Sequence, residues 1–213
     1  MTTMKKLFCT ALIGASVVAS AQVTLSGKAN LLFPTQDGTW KNTVQAVQNA
    51  YEAKGKNNVG FNVGLSAKID LPTALFVMPE IYYTSFTNEF TDKITNTTIE
   101  AKSSRVDVPV LVGYNVLGKT LGAFIGPVMS YNLAKDNTYN DFVENVKNNF
   151  TVGYQFGAQA QIKKLIINAR YEGAFTKDQR DFTNTAVNAV AGDYVVRYDS
   201  RPSMLILGVG YAF

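Results

Sequence analysis

The chain ends in the stretch Met204-Leu205-Ile206-Leu207-Gly208-Val209-Gly210-Tyr211-Ala212-Phe213. Leu205, Leu207, Val209, Tyr211 and Phe213 occupy every second position of this stretch. A period of two is the spacing at which side chains fall on one face of a β-strand. The stretch is therefore predicted to be an amphipathic strand with a continuous apolar face and an aromatic residue at its end.

The other end of the chain has the pattern of a secretory signal peptide. Lys5 and Lys6 precede an apolar stretch over residues 7–18, and Ala19-Ser20-Ala21 provides a small-x-small cleavage site. Residues 1–21 are predicted to be cleaved, which leaves residues 22–213 as one domain. Cys9, the only cysteine, lies in this leader too close to the lysines for a lipoprotein cleavage site, so the mature chain is expected to have no disulfide.

Composition narrows the chemistry that the mature chain can perform. The sequence contains no histidine, which excludes Ser-His-Asp and Cys-His catalysis and imidazole ligands for zinc. Removal of Lys5 and Lys6 reduces the 20 basic residues to 18, against 16 acidic ones. This balance is too even and too dispersed to indicate a nucleic-acid partner. Charged residues make up only 17% of the chain and hydrophobic residues 46%, which is unusual for a soluble surface.

Seven further segments alternate with the same period of two. Together with the C-terminal stretch they give the predicted strands Val23–Phe33, Val59–Ile69, Leu75–Phe86, Arg105–Val116, Leu121–Leu133, Phe150–Ile162, Leu165–Phe175 and Met204–Phe213. A tilted strand of about 11 residues crosses the ~25 Å apolar band of an outer membrane. We therefore predict an all-β fold, an eight-stranded antiparallel transmembrane β-barrel in the bacterial outer membrane. The alternative is a secreted soluble β-sandwich or lipocalin-like barrel, whose apolar face would point inward.

The connections between the predicted strands alternate in length. The short ones lie near residues 70–74, 117–120 and 163–164, and the long polar ones near residues 34–58, 87–104, 134–149 and 177–203. This asymmetry predicts short periplasmic turns, long extracellular loops and both termini in the periplasm.

Two features fit this barrel less well. Pro79, Pro109 and Pro127 lie inside predicted strands, where each removes a ladder hydrogen bond and is expected to mark a bulge or a local break. Residues 44–47 with Tyr51 suggest a short amphipathic helix in the first long loop.

Three stretches carry a resemblance to a known family: Met78-Pro79-Glu80-Ile81-Tyr82-Tyr83, Val106-Asp107-Val108-Pro109-Val110-Leu111-Val112-Gly113-Tyr114 and Gly126-Pro127-Val128-Met129-Ser130-Tyr131. With the rest of the mature chain they resemble the small bacterial outer-membrane β-barrel proteins of the OmpA-barrel, OmpX and OmpW type. These include proteins described as outer membrane protein beta-barrel domain or porin-family proteins. The family's roles are broad, so the resemblance implies the fold and the compartment more than a mechanism.

The terminal strand also resembles the signal that the barrel-insertion machinery reads in this family. Gly208, Tyr211 and Phe213 match its pattern. Ile206 departs from it, because a polar residue is usual at that position. The resemblance thus implies the insertion machinery as a partner during biogenesis.

Charged residues on the inward-facing positions are the first candidate site. They are Lys28, Glu80, Asp107, Arg170 and Glu172, with Lys68 near the periplasmic end and Arg105 near the outer mouth. Charges inside so narrow a lumen are expected to pair. One hypothesis is that Lys28, Arg170, Glu80 and Glu172 form a salt-bridged plug; the other is that the charges are only a polar core that fixes the strand register.

The outward aromatic residues and the loops are the other candidates. Anchoring at the membrane interface is predicted for Phe33, Tyr83, Tyr131, Tyr154 and Phe175. The loops are expected to bind a surface ligand. Basic residues near the outer rim are expected to meet lipopolysaccharide phosphates: Lys54, Lys56, Lys93, Lys102, Lys147 and Arg180.

No catalytic constellation, cofactor motif or metal-ligand spacing is visible in the sequence. The predicted function is accordingly a non-enzymatic outer-membrane barrel with a largely closed polar lumen, acting in envelope integrity or surface binding. The alternatives are a narrow porin-like channel for small solutes and a secretion-accessory barrel.

Overall fold

The structure is a computed structural model. It describes residues 22–35, 39–42, 52–54, 56–91, 98–133, 138–139, 142–146, 150–176, 179–184, 194–199 and 201–213. The predicted signal peptide over residues 1–21 and the predicted helix near residues 44–51 lie outside the described residues. Within the described ranges, no helix is long and apolar enough to span a membrane.

The described residues form the strands β1 (Gln22–Pro34), β2 (Thr39–Asn42), β3 (Glu52–Lys54), β4 (Lys56–Asn57), β5 (Gly60–Asp70), β6 (Leu75–Thr91), β7 (Thr98–Leu117), β8 (Leu121–Asn132), β9 (Thr138–Tyr139), β10 (Phe142–Val146), β11 (Phe150–Ile162), β12 (Leu165–Ala174), β13 (Gln179–Asn184), β14 (Tyr194–Asp199) and β15 (Met204–Ala212).

Eight of these strands close into a barrel. The order is β1–β5–β6–β7–β8–β11–β12–β15, and β15 pairs back to β1. Every neighbouring pair in this circle is antiparallel. The predicted eight-stranded antiparallel barrel is therefore confirmed, and each predicted strand corresponds to one barrel strand.

The long links contain more strand than the sequence indicated. β6 and β7 pair as far as Thr91 with Thr98, so most of the predicted loop over residues 87–104 is a hairpin extension, and that boundary was wrong. The period of two fades there because Thr87 and Glu89 follow where an apolar face would continue. Six further strands from the long links form a second sheet in the order β3–β2–β14–β13–β10–β9.

The apolar face of the barrel points outward. On β5, Leu65 is 58% exposed whereas its neighbour Ser66 is 4% exposed. On β15, Leu205, Leu207 and Val209 are exposed and Ile206 is fully buried. This is the opposite of the arrangement in a soluble barrel, so the soluble alternative does not describe this fold.

The three internal prolines interrupt the ladder without shifting its register. Beside Pro79, the β5–β6 pairing stops at Ser66–Glu80 and resumes at Ile69–Val77. Equivalent gaps separate β6 from β7 beside Pro109 and β7 from β8 beside Pro127. In each case the gap lies between the strand that carries the proline and the barrel strand before it. Proline has no amide hydrogen, so it cannot donate to that neighbouring strand. The expected local breaks are present, and the one irregularity of register between these strands lies instead between Asn115 and Leu117.

The lumen is filled by side chains, and apolar ones lie there beside the predicted polar ones. A cluster of Phe76, Met78, Leu111 and Phe124 is buried in the periplasmic half. A second apolar cluster lies toward the outer end and consists of Leu32, Phe86, Met204 and Ile206. The apolar clusters accompany the predicted polar side chains because the interior of so small a barrel is a packed core.

Candidate functional site: the charged lumen

The inner cluster, formed by Lys28, Glu80 and Arg170, spans the lumen from three strands. Lys28 on β1 lies 2.7 Å from Glu80 Oε1 on β6, measured from its Nζ atom. Arg170 on β12 places Nη1 2.6 Å from the other oxygen, Glu80 Oε2. Lys28 also donates to Gln159 Oε1 at 3.1 Å. Lys28, Glu80 and Arg170 lie at even positions and Gln159 at an odd position, and on each strand these are the inward positions, which explains how residues so distant in sequence meet.

The guanidinium of Arg170 is held by aromatic rings as well as by charge. Its Cζ lies 5.1 Å from the centre of the Phe124 ring and 5.8 Å from that of Tyr82. Both contacts are within the distance at which a cation is attracted to an aromatic face. The inner cluster is thus fixed to the apolar packing of the lumen.

The outer cluster, formed by Arg105, Asp107, Glu172 and Arg201, centres on Glu172. Its Oε1 accepts from Arg105 Nη2 at 2.7 Å and from Arg201 Nη2 at 2.9 Å. Arg105 Nε donates to Asp107 at 3.0 Å. Gln155 joins the two clusters, because it donates to Glu172 at 2.8 Å and accepts from Arg170 at 3.3 Å.

Arg201 is the luminal residue that the sequence reasoning missed. It precedes β15 and belongs to no strand, so a period-of-two pattern gives it no facing direction. Its side chain is nevertheless buried and donates to Thr151 at 3.0 Å and to Ser130 at 2.9 Å. The backbone next to it is fixed by Thr35, whose amide donates to the carbonyl of Ser203 at 2.8 Å.

The predicted charges therefore lie in the lumen, but in a different grouping from the four-residue plug. Glu172 contacts Arg105 and Arg201 rather than Lys28. Arg105 takes part in the outer cluster although it was expected only near the mouth. The period of two predicted which charged side chains face the lumen. Which of them pair depends on the stagger between strands, and the sequence pattern does not give that stagger.

An asparagine bridge lies beside these ionic clusters. Asn30 donates to Asn62 at 2.6 Å and accepts from Asn168 at 3.0 Å, which links β1, β5 and β12. The Asn30 amide occupies the space above Gly208, where any Cβ would overlap Asn30 Oδ1. Gly208 is therefore needed for the packing of the lumen, apart from any part it has in recognition.

The periplasmic end of the lumen carries a further polar group. Lys68 and Asp70 are paired at 3.1 Å, and Asn115 bonds both, donating to Asp70 at 3.1 Å and accepting from Lys68 at 2.8 Å. The Lys68 ammonium also lies 4.6 Å from the centre of the Phe76 ring. Sequence reasoning placed Lys68 at this end but assigned Asp70 to a turn, so it missed the pair.

The arrangement fills the interior of the barrel with paired charges. In both clusters, each carboxylate is paired with an ammonium or a guanidinium inside the barrel. Breaking such a buried pair by removing one partner typically costs about 3–5 kcal/mol. The described residues contain no group of histidine, cysteine or acidic side chains suited to hold a metal ion.

The predicted interfacial aromatic residues lie on the outer wall. Tyr83, Tyr131 and Phe175 are 43%, 52% and 69% exposed, and Phe33 and Tyr154 are partly exposed. The Tyr154 ring packs 5.0 Å from Phe175 between centroids. Their anchoring at the membrane interface stays a prediction.

Ile206, the departure from the insertion pattern, has a structural reason. It is fully buried, pairs with Leu32 across β1 and β15, and packs in the outer apolar cluster. Tyr211 and Phe213 project outward. Of the basic residues expected at the outer rim, Lys93 and Lys147 lie outside the described residues, and the others lie on described strands.

Comparisons with known proteins agree with this geometry. The chain resembles the structure of OprG from Pseudomonas aeruginosa at 13% identity, with a TM-score of 0.65 and coverage of 90% of this chain and 95% of that one. It also resembles AlkL in lipid bilayers at 11% identity, with a TM-score of 0.55 and 90% coverage of both chains. At these identities the likeness concerns the fold. The comparison with curated proteins found no match.

A family model settles the broader assignment. The model described as "Outer membrane protein beta-barrel domain" matches residues 22–177. This range begins at the first residue of β1 and includes seven of the eight barrel strands. The chain belongs to the outer membrane protein beta-barrel domain family of bacterial outer membranes.

Proposed function

We propose that this protein is a non-enzymatic barrel with a largely closed lumen, and that its extracellular loops act in envelope integrity or in surface binding. The observation that carries the proposal is the filling of the lumen. Two linked ionic clusters and two apolar clusters fill it, and the side chains of Lys28, Glu80 and Arg170 are at most 1% exposed.

The state of the luminal carboxylates supports a non-enzymatic role. A general base needs a carboxylate that can reach a substrate and exchange a proton. Glu80 is buried between Lys28 and Arg170, and Glu172 is buried between Arg105 and Arg201. Both carboxylates therefore serve as ion-pair partners between elements of the barrel.

The loops are the remaining surface for a partner. They are long, polar and joined to a rigid barrel, which is the usual arrangement for binding loops. We propose lipopolysaccharide phosphates as one partner of their basic residues. If this is right, neutralising Lys54, Lys56, Lys102 and Arg180 together weakens lipopolysaccharide binding by the refolded protein; unchanged affinity would exclude these residues.

The barrel-insertion machinery is the proposed partner during biogenesis. Tyr211 and Phe213 are exposed on the outer wall, where a second protein can reach them. Replacing Phe213 with alanine should lower the amount of barrel assembled in cells but not the yield of refolding in detergent, where no machinery acts. Equal losses in both experiments would assign Phe213 to stability alone.

Single-channel recording tests the closed lumen directly. The refolded protein, with folding confirmed by heat-modifiable gel mobility, should give no stable openings in a planar bilayer. Discrete openings of the unmodified protein would instead support the narrow channel.

The channel remains the second candidate because several buried polar atoms in the lumen lack a hydrogen-bond partner in the protein. Among the described residues these include the Tyr82 hydroxyl, Arg170 Nη2 and Arg201 Nε. Such atoms commonly bond water, and a row of water molecules along them would be the route for a small solute.

A further inference from the structure

The outer wall has a shallow groove where small residues of β1 face the lipid. Gly27 and Ala29 lie along its floor, and Val63, Val209 and Tyr211 are among the residues that line it. Ala29 pairs with Val63 on β5 and with Val209 on β15, so the larger side chains stand on both sides of the small ones. The groove has a volume of about 490 Å³.

A positive charge lies at the periplasmic end of this groove. The ammonium of Lys164, in the tight turn between β11 and β12, lies 5.4 Å from the centre of the Tyr211 ring. The carbonyl of Lys164 accepts a hydrogen bond from the amide of Ala212 at 2.8 Å, which anchors the turn to β15. The turn that carries this cation is thus held next to the wall of the groove.

The charges of the neighbouring turns have one sign. Lys119, Lys163 and Lys164 are exposed on the two adjacent short turns. Asp70, which borders the third short turn, is buried and paired with Lys68, and its other oxygen lies 4.0 Å from the Lys119 ammonium. The described turn residues therefore present a basic rim at the level where phospholipid phosphates lie.

We propose that this groove binds one anionic phospholipid of the periplasmic leaflet. Its acyl chain lies over Gly27 and Ala29, and its phosphate is bound by Lys164. Apolar walls match the chain, and the interfacial position of the ammonium matches the headgroup. A second copy of the barrel, packed side by side in the same orientation, would bring the same lysines together, so charge complementarity favours the lipid. The site lies on the outer wall, away from the long loops, and shares with the luminal clusters only Lys28, whose ammonium points to Glu80.

The test measures phosphatidylglycerol bound to the refolded protein by native mass spectrometry, with phosphatidylcholine as the zwitterionic comparison. The wild-type protein should retain one phosphatidylglycerol in preference to phosphatidylcholine. Lys164→Gln should weaken binding about fivefold, because one basic residue near a membrane surface contributes roughly that factor. Ala29→Leu fills the groove and should remove the retained lipid while leaving the headgroup residues intact.

Lys119→Gln is the control, since it removes from the same rim a lysine that lies beside Asp70 and does not line the groove. It should bind as the wild type does. Equal weakening by Lys119→Gln and Lys164→Gln, or undiminished binding by a folded Ala29→Leu variant, would overturn the proposal and leave only non-specific lipid around the barrel. Heat-modifiable mobility confirms folding of each variant, and Lys164→Arg, which keeps the charge, should bind as the wild type does.

Discussion

Gly208 lies on β15 directly beneath the Asn30 amide, which bridges Asn62 and Asn168. We predict that Gly208→Ala lowers the free energy of unfolding by about 1–3 kcal/mol, because the added methyl group displaces this bridge from a packed interior. Urea unfolding of the refolded barrel measures the change. Gly27→Ala is the control, since its Cβ would meet only the Phe213 ring at an ordinary 3.6 Å. Equal stability of Gly208→Ala and the wild type would exclude the packing role.

Glu172 accepts hydrogen bonds from two guanidinium groups, those of Arg105 and Arg201. Glu172→Gln should destabilise the barrel by about 3–5 kcal/mol, because it leaves buried positive charges without their shared partner. The combined Glu172→Gln and Arg201→Gln variant should recover part of this loss in a double-mutant cycle. Strictly additive losses would show that Arg201 is not coupled to Glu172.

At the scale of elements, the β5–β6 ladder has a gap beside Pro79, whose nitrogen carries no hydrogen to donate. Pro79→Val supplies a donor and should stabilise the barrel by about 1 kcal/mol, the net value of a typical hydrogen bond. Hydrogen exchange should show the new amide protected as in a strand. Pro72→Ala, in the short turn, is the control and should leave an exchanging amide. Rapid exchange at residue 79 would mean that strand geometry, rather than the proline, opens the ladder.

The elements also show how far the sequence could predict the molecule. The period of two identified the barrel strands and the facing direction of Lys28, Glu80 and Arg170 because one face of each strand meets lipid. The same pattern failed at Arg201, which lies outside a strand, and at residues 87–104, where β6 and β7 continue without an apolar face. It also could not supply the partner of Glu172, since that depends on the stagger between strands distant in sequence.

For the whole molecule, the charge balance of the lumen predicts which ions would pass if the lumen were opened. The inner and outer clusters contain four basic residues, Lys28, Arg105, Arg170 and Arg201, against the three acids Glu80, Asp107 and Glu172. Removing Glu80 deprives two of these cations of their carboxylate and raises the positive excess. A pore opened in this way should therefore favour anions.

We predict that Glu80→Ala gives discrete conductance in a planar bilayer and a reversal potential, under a KCl gradient, that indicates chloride preference. Glu80→Gln, which removes the charge but little volume, should show weaker leakage of the same sign. Lys28→Ala should remain silent, because Arg170 still pairs with Glu80 at 2.6 Å. A Glu80→Ala barrel that folds but does not conduct would show that the inner cluster is only a polar core that fixes the strand register. A cation-selective leak would mean that the outer carboxylates, rather than the excess of basic residues, set the potential along the lumen.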